Sequence, residues 1–405
     1  MIHSHPIGMN IMRTLLLLLS MSVVPLPTVA QKLVEKVVKE RVDSENGAYR
    51  IVQVVEGVSH PWAVGWLPDG SMILTQRNGQ MYVQRGKEIK QVAGVPKVHT
   101  TDGGQGGLLD VAVHPDHASN GWIYFTYSSP GDNDGYTGGA KNGTGTALAR
   151  ARLQDENGEP RLVDLETLYT QVPRTEPGRH YGSRIVFPGD GTVIFSIGDR
   201  GLRSPAQDLT DPAGSMIRIK EGGGVPDDNP FVGKPPGNIR PEIWSFGHRN
   251  NQGLALHPET GELWTTEHGP RGGDLLHRVL PGRNYGWPMV SFGTEYSTGE
   301  KIGIGQEAPG VEKPIQVWKE ALAPSGTSFY TGNKFPAWQG NLFAGFLAGK
   351  HVKRIVLENG TVTHEEVLCR DAIGRIRDVQ EGPDGSIYLV TDESNGGIYR
   401  LEPVK

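Results

Sequence analysis

The residue types and spacings in this chain that most directly suggest acid–base chemistry are His180 and Asp199. His180 lies just ahead of one apolar run, and Asp199 closes the next in Ser196-Ile-Gly-Asp-Arg200. A hairpin between the two runs would bring their side chains to one end of a sheet. A carboxylate on one imidazole nitrogen fixes the tautomer and frees the other nitrogen to act as a base; a structural histidine held by an acid is the plainer reading. Arg249 and Asn250, in Gly247-His-Arg-Asn-Asn-Gln-Gly253, set a planar cationic fork beside an amide, suited to a carboxylate or quinone oxygen or simply to solvent. Arg375 and Arg377 alternate in Gly374-Arg-Ile-Arg-Asp378, which places both on one face of a strand. Two such cations repel unless an anionic group lies between them, either a multiply carboxylated cofactor or ion pairs with Asp378 and Glu381. Gly269-Pro270 is an ordinary turn unless its freed carbonyls serve as hard oxygen ligands for calcium.

Something rigid must carry these residues, and an internal repeat supplies it. A unit of apolar strand, turn and second apolar strand recurs six times, beginning at Trp62, Leu109, Ser183, Gly253, Ser328 and Val379. Asp-Gly pairs such as Asp69-Gly70 and Asp384-Gly385 mark hairpins, because glycine accepts the positive φ the turn needs. The pattern predicts an all-β, six-bladed β-propeller of four-stranded antiparallel blades. The Gly-rich stretches Gly131 to Gly145 and Glu221 to Gly237 read as loops on one face of it, where they would shape specificity.

Composition agrees. The 405 residues include 56 glycines and 29 prolines, which suits many short strands, while 36% hydrophobic residues exclude disorder. A net charge of −5 offers no basic stripe and argues against nucleic acid. An apolar run from Leu15 to Val24 behind Arg13, ending at Thr28-Val-Ala30, reads as a signal peptide over residues 1–30, followed by a single propeller domain over residues 31–405 in the periplasm or outside the cell. Nothing later predicts stable membrane insertion. A lone cysteine, Cys369, cannot form an intramolecular disulfide.

Taken together, Gly-His-Arg-Asn-Asn-Gln-Gly at 247–253, Glu-His-Gly-Pro at 267–270, Asn-Tyr-Gly-Trp-Pro at 284–288 and Arg-Ile-Arg-Asp at 375–378 resemble the soluble pyrroloquinoline quinone (PQQ)-dependent glucose and aldose sugar dehydrogenases. The resemblance runs from about Val58 to Leu401. It implies oxidation of an aldose at C1 to the lactone, with His180 as general base oriented by Asp199. Gln105, Arg249 and Asn250 would lie by the cofactor, and Arg375 and Arg377 would hold its carboxylates. Gly269 and Pro270 would bind calcium through their carbonyls, and Tyr285 and Glu295 match further calcium-ligand positions. The implied partners are a sugar and an external electron acceptor, a quinone or cytochrome, with the chain a monomer or homodimer.

Three departures stand out. Ala348 occupies the place of a cofactor-contacting lysine, with Lys350 nearby; Leu275 follows Asp274 where an acidic residue is expected; and His268 replaces a glutamine, which points to the aldose subgroup. Two rival readings share the scaffold: a calcium-dependent propeller lactonase, whose site would gather acids and amides rather than arginines, and a non-catalytic binding propeller, which gives His180, Asp199, Arg249 and Arg375 no reason to converge.

Overall fold

The computed structural model describes Met1 and residues 31–404, except 101–103, 131–142, 177 and 236. All but Met1 of the leader expected over residues 1–30, and most of the Gly131 to Gly145 stretch, therefore lie outside the described residues. The chain forms six antiparallel sheets arranged as a six-bladed propeller, as the repeat predicts.

Each repeat unit overlaps the innermost strand of its blade, starting near that strand's first residue in four blades and further along it at Ser328 and Val379. The six inner strands are Pro61–Trp66, Leu108–Val113, Ile185–Val186, Asn251–Leu256, Pro324–Phe329 and Ile376–Glu381. The second strands, such as Met72–Gln76 and Ile387–Thr391, are buried along their whole length, which is why they read as continuous apolar runs rather than alternating ones. A hydrophobic core lies between each pair of neighbouring blades, so every blade is half of two cores. The hairpin turns follow their chemistry: Gly70 adopts φ 83° and donates to the Leu67 carbonyl, while the Asp69 carboxylate accepts from Ser71 N at 2.8 Å.

Five blades have four strands, but the last has five. Its three C-terminal strands are joined by Gly47–Val58, which pairs with Gly396–Val404, and by Lys32–Ser44 at the outer edge.

At the hub, the Arg184 guanidinium is shut away from solvent and sits 2.9 Å from both Asp110 Oδ1 and Asp378 Oδ1. It lies over the Trp62 ring, and its Nε donates to the Gln252 carbonyl. Five of the six blades thus meet at one side chain. Burial pushes both carboxyls above the usual range, against the pull of Arg184. Removing one member of such a cluster strands the others without compensation. Arg184→Ala should therefore lower unfolding free energy by about 3–5 kcal/mol in urea denaturation; a loss under about 1 kcal/mol would show that the hub is not what ties the blades together.

Candidate active site

Two kinds of position reach the same end of the ring: the residues just before an inner strand and those just after a second strand. His180 precedes Ile185–Val186 and Asp199 follows Thr192–Ile197, so the hairpin joins them as expected, with His180 Nδ1 2.6 Å from Asp199 Oδ1. Gly198 permits the approach, since a Cβ there would lie 2.3 Å from the His180 carbonyl.

The same carboxylate accepts from Gly201 N and from Trp287 Nε1, each at 2.7 Å. Trp287 arrives on a long segment after the third strand of the fourth blade, which runs beside the outer strand of the third; Gly282 N donates to the Trp244 carbonyl, Tyr285 N to that of Phe246 and Trp287 N to that of Gly247. Burial opposes the Asp199 charge, but the hydrogen bond from His180 and the other donors outweigh it and hold the carboxyl below its usual range. An ionised Asp199 can only accept, so Nδ1 carries the proton and Nε2 is the free lone pair. Burial first, and then the charges of Arg249 and Arg179, lower the His180 pKa, against the pull of Asp199. The imidazole is therefore neutral at pH 7, as a base must be.

Arg249 is held from both sides of its backbone: its N–H donates to Glu267 Oε1 at 2.6 Å and its carbonyl accepts from Asp199 N at 2.8 Å. Its guanidinium lies 5.4 Å from the Trp287 ring centroid and donates to the His268 carbonyl. Asn250 Oδ1 accepts from Gly182 N, which leaves Nδ2 as its outward donor. Gln105 Oε1 accepts from His180 N at 2.8 Å.

Beside the dyad lies a cavity of about 340 Å³ whose wall includes Gln105, Asn250, His268, Arg77, Arg375 and Arg377. Three arginines face it against one carboxylate, Asp392. Arg377 pairs with Asp392 at 2.5 Å rather than with Asp378, which serves Arg184, or with Glu381, which serves Thr331. His180 and Arg249 are not themselves on the wall; Tyr181 and Asn250, next to them in the chain, are. Burial and the nearby charges of Arg249 and Arg377 keep His268 neutral, and its Nε2 is buried without a partner, as is Arg377 Nε.

Gly269 N donates to Asp274 Oδ1, which holds the Gly269-Pro270 turn in place. The Pro270 carbonyl accepts from the Tyr296 hydroxyl at 3.1 Å. The side-chain oxygens of the other two ligand candidates are engaged: the Tyr285 hydroxyl bridges Leu280 N and the Arg278 carbonyl, and Glu295 forms a two-pronged ion pair with Arg203. Among the described residues, no three His, Cys, Asp or Glu side chains gather as a metal site.

Two expectations need correction. The Glu221 to Gly237 stretch cannot shape this entrance, because it follows the third strand of its blade, and Glu221 N donates to Gly191 O in the turn at the opposite end. Lys350 does not replace the absent lysine at the cavity; it sits exposed in a turn, while Leu347 and Ala323 form that part of the wall. Arg77, Asp392 and Trp287 are the residues that sequence reasoning missed. The repeat itself carries the signal for the first two, since each directly follows a second strand.

A family described as Glucose / Sorbosone dehydrogenase matches residues 58–400. The aldose sugar dehydrogenase YliI of Escherichia coli (strain K12) is 42% identical over 351 residues, 85% of this chain and 91% of that protein. The crystal structure of the soluble aldose sugar dehydrogenase from Escherichia coli in the apo-form superposes with TM-score 0.81 at 39% identity, covering 88% of this chain and 100% of that one. A PQQ-bound aldose sugar dehydrogenase from Streptomyces coelicolor has the same fold, with TM-score 0.69 at 23% identity over 93% of this chain and 99% of that one.

The electrostatics give a direct test. His180 should titrate below the ordinary histidine value of about 6.5 by NMR, and Asp199→Asn should move it lower still, because the carboxylate is the partner that raises it. An upward shift in that variant would contradict the arrangement.

Proposed function

Because this chain belongs to the glucose/sorbosone dehydrogenase family, oxidoreductases acting on the CH–OH groups of sugars, we propose that it oxidises an aldose at C1 to the lactone, with PQQ in the arginine-lined cavity and His180 as the base. The observation that carries this reading is a neutral His180, held by an ionised Asp199, beside a cavity with three arginines and one acid.

The residues present suit PQQ, a flat quinone with three carboxylates. The wall offers arginine and amide donors, and the unpartnered Arg377 Nε and His268 Nε2 are buried polar atoms that a polar ligand would satisfy. When bound, PQQ supplies the carbonyl carbon that accepts hydride from sugar C1. The chain's own part is proton transfer and positioning. His180 Nε2 takes the proton of the C1 hydroxyl as the hydride leaves, and Asp199 stabilises the imidazolium that results. Arg249, with its backbone held by Glu267 and its guanidinium by the His268 carbonyl, supplies a placed cation for developing negative charge. Gln105 and Asn250 hold the backbone of the His180–Gly182 segment in register with the cavity.

Calcium belongs to the same proposal at Gly269 and Pro270. Peptide carbonyls are hard oxygen donors, and the Gly269 carbonyl accepts no hydrogen bond among the described residues. The Tyr285 hydroxyl and the Glu295 carboxylate already have partners, so the proposal rests on the Gly269 and Pro270 carbonyls. The leader sequence before Gln31 leads us to place the reaction in the periplasm or outside the cell, with electrons passing on to an external acceptor.

Dye-linked aldose oxidation by the purified protein, with PQQ and calcium supplied together and each omitted in turn, tests the reading. Activity should require both, and His180→Ala should lower kcat by about 10²–10⁴-fold. Sugar oxidation indifferent to PQQ would overturn the cofactor assignment, and an active His180→Ala variant would overturn the base.

A further inference from the structure

The three arginines around the cavity are not equally free to meet a ligand. Arg377 is already committed: Nη1 donates to Gln252 Oε1 at 2.8 Å and Nη2 to Asp392 Oδ2 at 2.5 Å, with its side chain 9% exposed. Asp392 is committed in turn, since its Oδ1 also contacts His60 Nδ1 at 2.8 Å. Both terminal nitrogens of Arg377 are therefore spoken for within the wall, and only its Nε lacks a partner.

Arg77 differs. It lines the same cavity, yet its nearest carboxylate oxygen, Asp392 Oδ1, is 3.8 Å away, beyond hydrogen-bond reach. Burial disfavours its charge, as do Arg377 and Arg375, and Asp392 alone compensates. A cation confined among cations with one shared acid is short of anions. The backbone beneath it is pinned from two blades: Arg77 N donates to the His60 carbonyl, and the Arg77 carbonyl accepts from Leu108 N. Gly107 is required there, since a Cβ would lie 1.8 Å from that carbonyl oxygen. The side chain thus starts from a fixed point, with donor capacity left over. Arg375 has no carboxylate partner within ion-pair distance among the described residues and lines the cavity as well.

We propose that Arg77, with Arg375, grips a carboxylate of the anionic cofactor, while Arg377 and Asp392 hold the wall behind it. This rests on the PQQ reading above. It places the cation missing at Ala348 on the first blade instead of at Lys350. The incoming carboxylate supplies the anion that Arg77 lacks, and Arg77's loose contact with Asp392 gives way to a charge-assisted hydrogen bond.

Equilibrium binding of PQQ to the calcium-supplemented protein without sugar, followed by tryptophan fluorescence, separates the possibilities. Wild type should bind. Arg77→Gln should weaken binding about ten- to a hundredfold and flatten its salt dependence, Arg77→Lys should recover part of the loss, and Lys350→Ala should bind like wild type. Melting curves without PQQ should show all the variants folded. Arg77→Gln binding as tightly as wild type would overturn the role of Arg77 and leave the PQQ reading standing, whereas wild type failing to bind PQQ would bring down both.

Discussion

A propeller has a fixed centre only if its ring is closed, and here closure depends on one antiparallel pairing between the two ends of the chain. Gly47–Val58 runs against Gly396–Val404 from Ala48 opposite Val404 to Val58 opposite Gly396. This makes the last blade a single sheet built from both ends and covers the outer edge of Gly396–Val404, which would otherwise be left unpaired. Lys32–Ser44 then covers the outer edge with a strand rich in charge, which discourages further pairing. Once the ring is closed, the inner strands must converge, and Arg184 with Asp110 and Asp378 occupies the point where they do.

The site follows from strand parity. In an antiparallel blade, the start of the first strand and the end of the second lie at the same end of the sheet. Gln105, Tyr181, Asn250 and Arg375 come from the first kind of position, and Arg77, Asp199, His268 and Asp392 from the second. Five blades bring these short segments together at one site, which explains how residues far apart in sequence share one chemistry. The loop after a third strand points the other way, as at Glu221. The fourth blade's long segment is the exception: it climbs along the neighbouring blade and so brings Trp287 to Asp199.

The electrostatics of cavity and base are one system. Arg249 is the link: after burial, its charge and that of Arg179 disfavour protonation of His180, while Arg249 and Arg377 do the same at His268 on the cavity wall. Asp199 works against this by pulling the His180 pKa up, but it contributes orientation, and its own ionised state is secured first by His180 and then by Arg249 and the Gly201 N–H, while Trp287 Nε1 also donates to it. Burial separates these effects from solvent, which makes each more sensitive to single substitutions than it would be at the surface.

Much of this was legible in the sequence. The hairpin turns and apolar runs set the blade count, because period and turn chemistry are local properties, and the short span between His180 and Asp199 contained one hairpin and therefore placed them together. The four motifs carried the family. The sequence could not show that the strands Lys32–Ser44 and Gly47–Val58 complete the last blade, since nothing local distinguishes an end strand that closes a ring from one that does not. Nor could it show that Arg377 is neutralised by Asp392 while Arg77 is not, or that Trp287 completes the Asp199 site. Local spacing determines which end of a blade a residue occupies. Which side chain it meets there depends on how neighbouring blades pack, and only the closed tertiary structure decides that.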